Sequence, residues 1–151
     1  MDPHYYNVDI NWNHDRKGVM CSQELLKDGN ACIEVATPPE FPKGIPGIWS
    51  PEHLFTAAVS SCLMTTFLAI AENFKLKFEG FSCKSKGKLE QVDGKFLMTE
   101  IILEPTVTIT DESQRELAEK VLMKSEKACL ISNSIKSRIV MEPTIKVVQM
   151  A

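Results

Sequence analysis

The sequence has no excess of positive charge and no closely spaced metal ligands, and both absences exclude classes of function. Its 151 residues carry 17 Lys and Arg against 20 Asp and Glu, a formal net charge of −3. Binders of nucleic acid or anionic lipid normally present a basic surface, so we expect neither partner. No Cys-x-x-Cys step occurs and the three histidines are scattered. Structural zinc sites need paired ligands at short spacing, so we expect no structural metal.

The five cysteines also lack the pattern of a disulfide framework. Their number is odd, no close pairs occur, and no early secretory signal is found. We therefore expect a cytoplasmic protein whose thiols stay free, with Cys21, Cys32 and Cys83 as ordinary packing residues. Hydrophobic residues make up 44% of the chain and charged residues 25%, as in soluble globular proteins. The length predicts one domain spanning residues 1–151.

Turn signals divide the chain into an α+β order of elements. An Asp-Gly step lies in Lys27–Asn30 and another in Val92–Lys95, and both favour hairpins. Helices are predicted from Pro51, over 111–128 and over 130–137. Strands are predicted over 5–12, 18–25, 31–36, 77–91, 96–109 and 138–148. Because strands and helices do not alternate, a βαβ fold is not indicated.

The first predicted helix has a clear start and is uncharged over a long stretch. Ser50 can cap it, Pro51 suits its first position, and Glu52 places a negative charge in its first turn. No residue from Leu54 to Ala71 is charged. The length of this stretch reaches the lower limit for a membrane span. However, hydroxyl residues lower its hydrophobicity, and the basic flanks typical of a span are missing. We predict a helix buried at a domain centre or subunit interface, with no membrane partner.

Two cysteines are candidates for chemistry. Cys62 lies within the apolar helix, where a packing thiol is the simpler interpretation. Cys129 lies where one predicted helix ends and the next begins, and amides at a helix start stabilise a thiolate. A Cys–His hydrolase has no local support, because His53 and Cys62 would lie about 13.5 Å apart along the axis and on opposite sides of the helix.

Two segments carry a resemblance to a known family. The stretch Ser50–Cys62, SPEHLFTAAVSSC, resembles the first cysteine motif of the OsmC/Ohr family, the osmotically inducible and organic hydroperoxide resistance proteins. The stretch Cys129–Ile135, CLISNSI, resembles the second motif, 67 positions after the first cysteine. The Arg16-Lys17-Gly18 turn fits the same family. Many members have Pro directly after the second cysteine, whereas this chain has Leu130.

The resemblance implies a fold and an assembly. Family members are intertwined homodimers in which antiparallel sheets wrap two long central helices, with active sites at the subunit interface. Their activity is the thiol-dependent reduction of hydroperoxides. An external thiol, either a lipoylated protein or a small dithiol, serves as the reductant, and no bound cofactor takes part.

The resemblance also implies the site residues. Cys62 would be the peroxidatic thiol and Cys129 the resolving thiol, while Arg16 and Glu52 would be the polar pair that activates Cys62. Lys17 is the alternative cation beside Arg16. A guanidinium would offset the raised pKa of a buried thiol and donate hydrogen bonds to the peroxide. The apolar residues of the first helix would suit an alkyl chain: Phe55, Leu63, Met64 and Phe67.

Other functions stay open at this point. A redox sensor or a small-ligand-binding dimer could keep the same cysteines without turnover. A cysteine-dependent acyl hydrolase would need a histidine that the sequence does not place. The preferred hydroperoxide and the subfamily, OsmC or Ohr, also stay open.

Overall fold

The computed structural model describes residues 1–25 and 31–149, which fall into two compact units, Met1–Leu54 and Phe55–Ala151. The helices are α1 (Pro51–Asn73), α2 (Arg115–Ala128) and α3 (Leu130–Asn133). The strands are β1 (Asp9–His14), β2 (Lys17–Cys21), β3 (Cys32–Ala36), β4 (Gly80–Val92), β5 (Lys95–Ile109), β6 (Arg138–Met141) and β7 (Thr144–Val147). The α+β content is as predicted, while the prediction of one domain stays a prediction.

The first unit contains a three-stranded antiparallel sheet in the order β1-β2-β3. The second predicted strand ends at Cys21 rather than Leu25, because Gln23–Leu25 forms a 3₁₀ turn. In the β2–β3 register, Cys21 lies directly opposite Cys32. The predicted turn at Lys27–Asn30 lies outside the described residues, although the strands on either side of it pair as a hairpin requires.

Helix α1 begins where its capping sequence predicts. The Ser50 hydroxyl accepts a hydrogen bond from the His53 amide at 3.2 Å, and the Ser50 amide donates to Nδ1 of His53 at 3.3 Å. This is a reciprocal capping box in which His53 takes the place that Glu or Gln usually occupies. Since two orphan amides are satisfied together, the N-terminus of α1 is fixed by two side chains of its own sequence.

The second unit contains a four-stranded sheet built on the long β4–β5 hairpin. Asp93 and Gly94 turn this hairpin with φ of 50° and 78°, the backbone conformation that the Asp-Gly step favours. Strands β6 and β7 both pair with β5, in parallel. The final strand predicted over 138–148 is instead two short strands. The strand is interrupted at Glu142 and Pro143, because a proline has no N–H to donate to the hydrogen-bond ladder.

Two hydrophobic clusters join α1 to this sheet and to the C-terminal helices. The first surrounds Phe67 and Ala71 of α1 and includes the buried face of α2. The second is centred on Val59 and Leu63 of α1, with Ile131 at its edge. Burying these side chains fixes the successive turns of α1 against β5, and it fixes α3 beside the middle of α1.

Helix α1 is long and apolar enough to cross a membrane, but only 28% of its most apolar 18-residue window is buried. Within this chain, helix α1 is therefore buried on one side and not all round as predicted. Met64 and Leu68, on the other side, are 40% and 44% exposed.

Candidate functional site

The sulfurs of Cys62 and Cys129 meet at the start of α3. Both residues are buried, with 8% of Cys62 and 1% of Cys129 exposed, and neither is bridged. The two side chains are close enough for the Cys129 thiol to affect the pKa of Cys62. The two cysteines are 67 positions apart in sequence but close together in the fold. The structure brings together the two cysteines that the motifs single out.

Local packing explains this meeting. Cys62 lies between Val59 and Leu63 in sequence, and both of these are fully buried in the second cluster. Ile131 of α3 packs on the same cluster, so the first turn of α3 is held beside Cys62. Cys129 is the N-cap residue of α3, with φ −62° and ψ 111°, and its carbonyl accepts from the Asn133 amide at 3.0 Å.

The environment of Cys62 favours its thiolate. Burial raises the pKa of the Cys62 thiol, but hydrogen bonds from the Ile131 amide, the Cys129 thiol, the Thr66 hydroxyl and the Leu130 amide together lower the pKa below its ordinary value. The two amides belong to the first turn of α3, whose N–H groups have no partner within the helix. A thiol with a lowered pKa is more often the reactive thiolate near neutral pH.

The environment of Cys129 has the opposite effect. Burial raises the pKa of the Cys129 thiol above its ordinary value. Hydrogen bonds to the side chain and backbone of Ser132 partly offset this rise, and the neighbouring Cys62 sulfur adds a smaller increase. Two neighbouring sulfurs cannot both be ionised without repulsion. Of the two thiols, the surroundings favour ionisation of Cys62 and oppose ionisation of Cys129.

Arg16 and Glu52 line one cavity of about 630 Å³ in the first unit. Arg16 follows the β1–β2 turn at Asp15, whose φ is 50°, and its carbonyl accepts from the Thr37 amide at 3.1 Å. Oε2 of Glu52, in the first turn of α1, is buried. The structure therefore places this cation and this carboxylate around the same space. Most of the other side chains of the cavity are apolar, among them Ile10, Trp12 and Phe41.

Lys17 lies on the same cavity but is engaged elsewhere. Its ammonium is 3.8 Å from a carboxylate oxygen of Glu34 on the neighbouring strand. Arg16 is exposed in the described chain. Of the two cations that the sequence leaves as alternatives, Arg16 is thus the better candidate for a ligand-facing role.

His53 takes part in the helix cap and not in a thiol site. Its Nδ1 lies 2.6 Å from the Ser50 hydroxyl, and its ring meets that of Trp49 edge-on at 6.2 Å between centroids. Ser50 itself is completely buried. The arrangement leaves His53 in a structural role, in agreement with the helical geometry that separates it from Cys62.

The interpretation of Cys21 and Cys32 as free packing thiols is wrong. They form a disulfide across β2 and β3, with a Cα–Cα distance of 4.1 Å. Cys32 is exposed and Cys21 is half-buried. The bridge follows from the register of β2 and β3, which places Cys21 opposite Cys32. Cys83 is free, as predicted.

The apolar residues expected to receive an alkyl chain do not form one wall. Leu63 and Phe67 are fully buried in the two core clusters, and Phe55 packs at the edge of the second. Met64 is partly exposed on the other side of α1. Three of these residues therefore belong to the core and one to the surface of α1. Their spacing along the helix is compatible with this arrangement.

Sequence reasoning missed the polar groups immediately around the sulfurs. Thr66, four residues after Cys62, lowers the pKa of Cys62. Ser132, three residues after Cys129, lowers the pKa of Cys129. The spacing of four along a helix was the available signal for Thr66. Over residues 1–25 and 31–149, no three His, Cys, Asp or Glu side chains are placed to hold a metal ion.

Comparison with known proteins identifies the family. The family model of OsmC-like proteins matches residues 44–144, which include both cysteine motifs. The uncharacterized protein YmaD of Bacillus subtilis is 25% identical over 142 residues, covering 92% of this chain and 91% of YmaD.

Solved structures show the same fold. An OsmC-like protein of unknown function from Vibrio cholerae has a TM-score of 0.79 at 24% identity, covering 93% of this chain and 99% of that one. An organic hydroperoxide resistance protein from Legionella pneumophila, also described as a predicted redox protein, has a TM-score of 0.75 at 22% identity, covering 97% and 100%. The α+β fold of this chain is OsmC-like, and the chain belongs to the family of OsmC-like proteins.

Proposed function

We propose that this protein is a thiol-dependent peroxidase that reduces organic hydroperoxides through Cys62 and Cys129. One observation carries the proposal: two buried, unbridged and neighbouring cysteines, with hydrogen bonds that favour the thiolate at Cys62 and burial that favours the thiol at Cys129. The fold is consistent with it, since a relative of the same fold is described as an organic hydroperoxide resistance protein.

The proposed reaction begins with attack of the Cys62 thiolate on the outer oxygen of the hydroperoxide. An S–O bond forms, the O–O bond breaks, and the alkoxide takes a proton and leaves as an alcohol. Cys62 is thereby oxidised to a sulfenic acid. The Cys129 sulfur then attacks Cys62 and expels water to form a disulfide. Two thiol groups of an external reductant restore both cysteines and become a disulfide themselves.

The roles proposed for Arg16 and Glu52 follow from their chemistry. The guanidinium of Arg16 can donate to the peroxide oxygens as negative charge develops on the leaving alkoxide. Glu52 can hold that guanidinium in orientation. Their shared cavity has mostly apolar neighbours, which would accommodate the alkyl part of an organic hydroperoxide.

The proposed assembly is a homodimer with the two α1 helices at its centre. The exposed apolar side of α1 supports a second copy of this chain as its cover, since a soluble protein gains by burying such a surface. The proposed reductant is a small dithiol or a lipoylated protein.

The test of the proposed function is steady-state consumption of cumene hydroperoxide in the presence of dithiothreitol. The wild-type protein should consume many equivalents, and the Cys62→Ser variant should consume none above background. The Cys83→Ser variant is the matched control, because this free thiol lies on β4 and has no part in the proposed reaction. Oxidation of one equivalent without further turnover would instead indicate a redox sensor.

A second experiment tests the proposed cation. Arg16→Ala should slow the oxidation of Cys62 by at least about tenfold, since the loss of a hydrogen bond to a charged group costs about 1.5–3 kcal/mol. Lys17→Ala is the control and should have a smaller effect, because Lys17 is paired with Glu34. Equal stopped-flow rates for Arg16→Ala and wild type at neutral pH would remove Arg16 from the mechanism.

A further inference from the structure

Thr66 is a residue of the thiol site that neither the sequence motifs nor the comparisons single out. It lies four positions after Cys62 on α1, so the two side chains share one side of the helix. Its hydroxyl oxygen is 3.9 Å from the Cys62 sulfur, within reach of a hydrogen bond that involves sulfur. The threonine is half-buried, as expected for a group at the edge of a buried sulfur.

The neighbouring hydroxyl residues of α1 behave differently. Ser60 and Ser61 each donate to the carbonyl three residues earlier, both at 3.3 Å, and Thr65 donates to the Cys62 carbonyl at 3.2 Å. Such bonds to the preceding turn are the usual use of a hydroxyl within a helix. Thr66 instead directs its hydroxyl to a side-chain sulfur. This hydrogen bond distinguishes Thr66 from three other hydroxyl residues of the same helix.

The chemistry of the pair fixes the direction of the hydrogen bond once Cys62 is ionised. A thiolate has no proton to give, so the only possible donor is the O–H group of Thr66. A hydrogen bond to the charged form of an acid favours that form. The β-branched side chain of threonine has few rotamers in a helix, so the donor is positioned at low entropic cost.

We infer that Thr66 is a further catalytic residue of this protein, one that donates its hydroxyl hydrogen to the Cys62 thiolate and so increases the reactivity of that sulfur. The inference rests on the proposed function only for its biological meaning, since the reactivity of Cys62 can be measured without any peroxide. The proposed interaction joins the Thr66 hydroxyl to a single atom, Sγ of Cys62.

The experiment measures alkylation of Cys62 by iodoacetamide from pH 5 to 10, with the modified peptide quantified by mass spectrometry. Thr66→Val keeps the branched shape and removes the donor. We expect its rate near neutral pH to fall by about twofold to tenfold, the effect of one hydrogen bond, and its pH profile to move to higher pH. Thr66→Ser should retain the wild-type profile, because serine restores the hydroxyl.

Thr65→Val is the matched control, since it removes an adjacent hydroxyl that bonds to the Cys62 carbonyl and not to its sulfur. It should leave the profile unchanged. Thr66→Ala repeats the test if the valine variant does not fold. A wild-type profile in the variants that lack the hydroxyl, or an equal shift in Thr65→Val, would overturn the inference.

Peroxide turnover, measured in parallel, keeps the two proposals separate. A wild-type protein without turnover overturns the peroxidase proposal, whereas the alkylation profiles still decide the role of Thr66. Normal turnover together with an unshifted Thr66→Val profile overturns only the role of Thr66.

Discussion

At the scale of single residues, the main feature of this protein is the unequal environment of two neighbouring cysteines. Cys62 receives hydrogen bonds from the first turn of α3, from Cys129 and from Thr66, whereas burial and the adjacent sulfur oppose ionisation of Cys129. The division of roles between the cysteines therefore comes from which sulfur the donors face.

A pair of variants at Cys129 tests this division. Cys129→Ala removes a donor from the Cys62 thiolate, so the pKa of Cys62 should rise and its alkylation at pH 7 should slow by about twofold to tenfold, the effect of one hydrogen bond. Cys129→Ser keeps an O–H donor and should remain close to wild type. The same initial rate in all three proteins would show that Cys129 does not stabilise the thiolate.

The same shift has a consequence for stability. Because the pKa of Cys62 is lowered on folding, the thiolate contributes stability above the pKa of an unfolded thiol, and this contribution is lost as the pH falls through the lowered pKa. The raised pKa of Cys129 acts in the opposite sense, since its contribution is lost as the pH rises through the raised value. The pH dependence of the free energy of unfolding near these two pKa values therefore has opposite contributions from the two thiols.

At the scale of elements, the sequence predicts starts and turns well where side chains act locally. Ser50 and Pro51 define the start of α1, and Asp93 with Gly94 defines the β4–β5 turn, because each of these signals depends only on near neighbours in the chain. Element ends were less predictable. The third helix ends at Asn133 rather than at the predicted Ser137.

The cap of α1 gives a prediction at this scale. Ser50→Ala removes the acceptor of the His53 amide and should lower the free energy of unfolding by about 1 kcal/mol, within the range of 0.5–2 kcal/mol known for N-caps. Urea denaturation measures the change. Ser61→Ala is the control on the same helix, because the exposed Ser61 hydroxyl bonds only to a carbonyl of the preceding turn.

An effect of Ser50→Ala no greater than that of Ser61→Ala would contradict the capping box. The double variant Ser50→Ala with His53→Ala refines the test. If the two side chains act reciprocally, the loss in the double variant should be smaller than the sum of the two single losses.

The disulfide of the β2–β3 hairpin gives a second prediction at this scale. A cross-link that closes a loop of this size, with a sequence separation of 11, restricts the unfolded chain. Replacing Cys21 and Cys32 by Ser should lower the free energy of unfolding by about 2–3 kcal/mol. Urea denaturation without reductant measures this loss. Dithiothreitol should then destabilise wild type but not the double variant, and equal stability of the two proteins would contradict a structural role for the bridge.

At the scale of the whole molecule, what could not be predicted depends on long-range packing. The motifs identify Cys62 and Cys129, but only the docking of α3 on the cluster around Leu63 explains why their sulfurs meet. The Cys21–Cys32 bridge was missed for the same reason, since it depends on the register of two strands. Residues whose roles depend on sequence neighbours were predictable, and residues whose roles depend on register or docking were not.

The exposed side of α1 carries the last prediction, which concerns assembly. If a second copy of this chain covers that side, light scattering should give twice the 16.9 kDa of one chain. Leu68, 44% exposed on α1, would then be buried in the dimer. Leu68→Lys should dissociate the dimer, because a charge would enter an apolar interface without a partner.

Met123→Lys is the control for this prediction, since Met123 is 50% exposed on α2 and the same charge is added there. It should leave the mass of the dimer unchanged. A monomeric wild-type protein at micromolar concentration would contradict the dimer, and dissociation by both variants would place the contact elsewhere than α1. A Leu68→Lys variant that becomes monomeric and also loses peroxidase turnover, while Cys62 still reacts with iodoacetamide, would show that the thiol pair forms within one chain and that turnover needs the second.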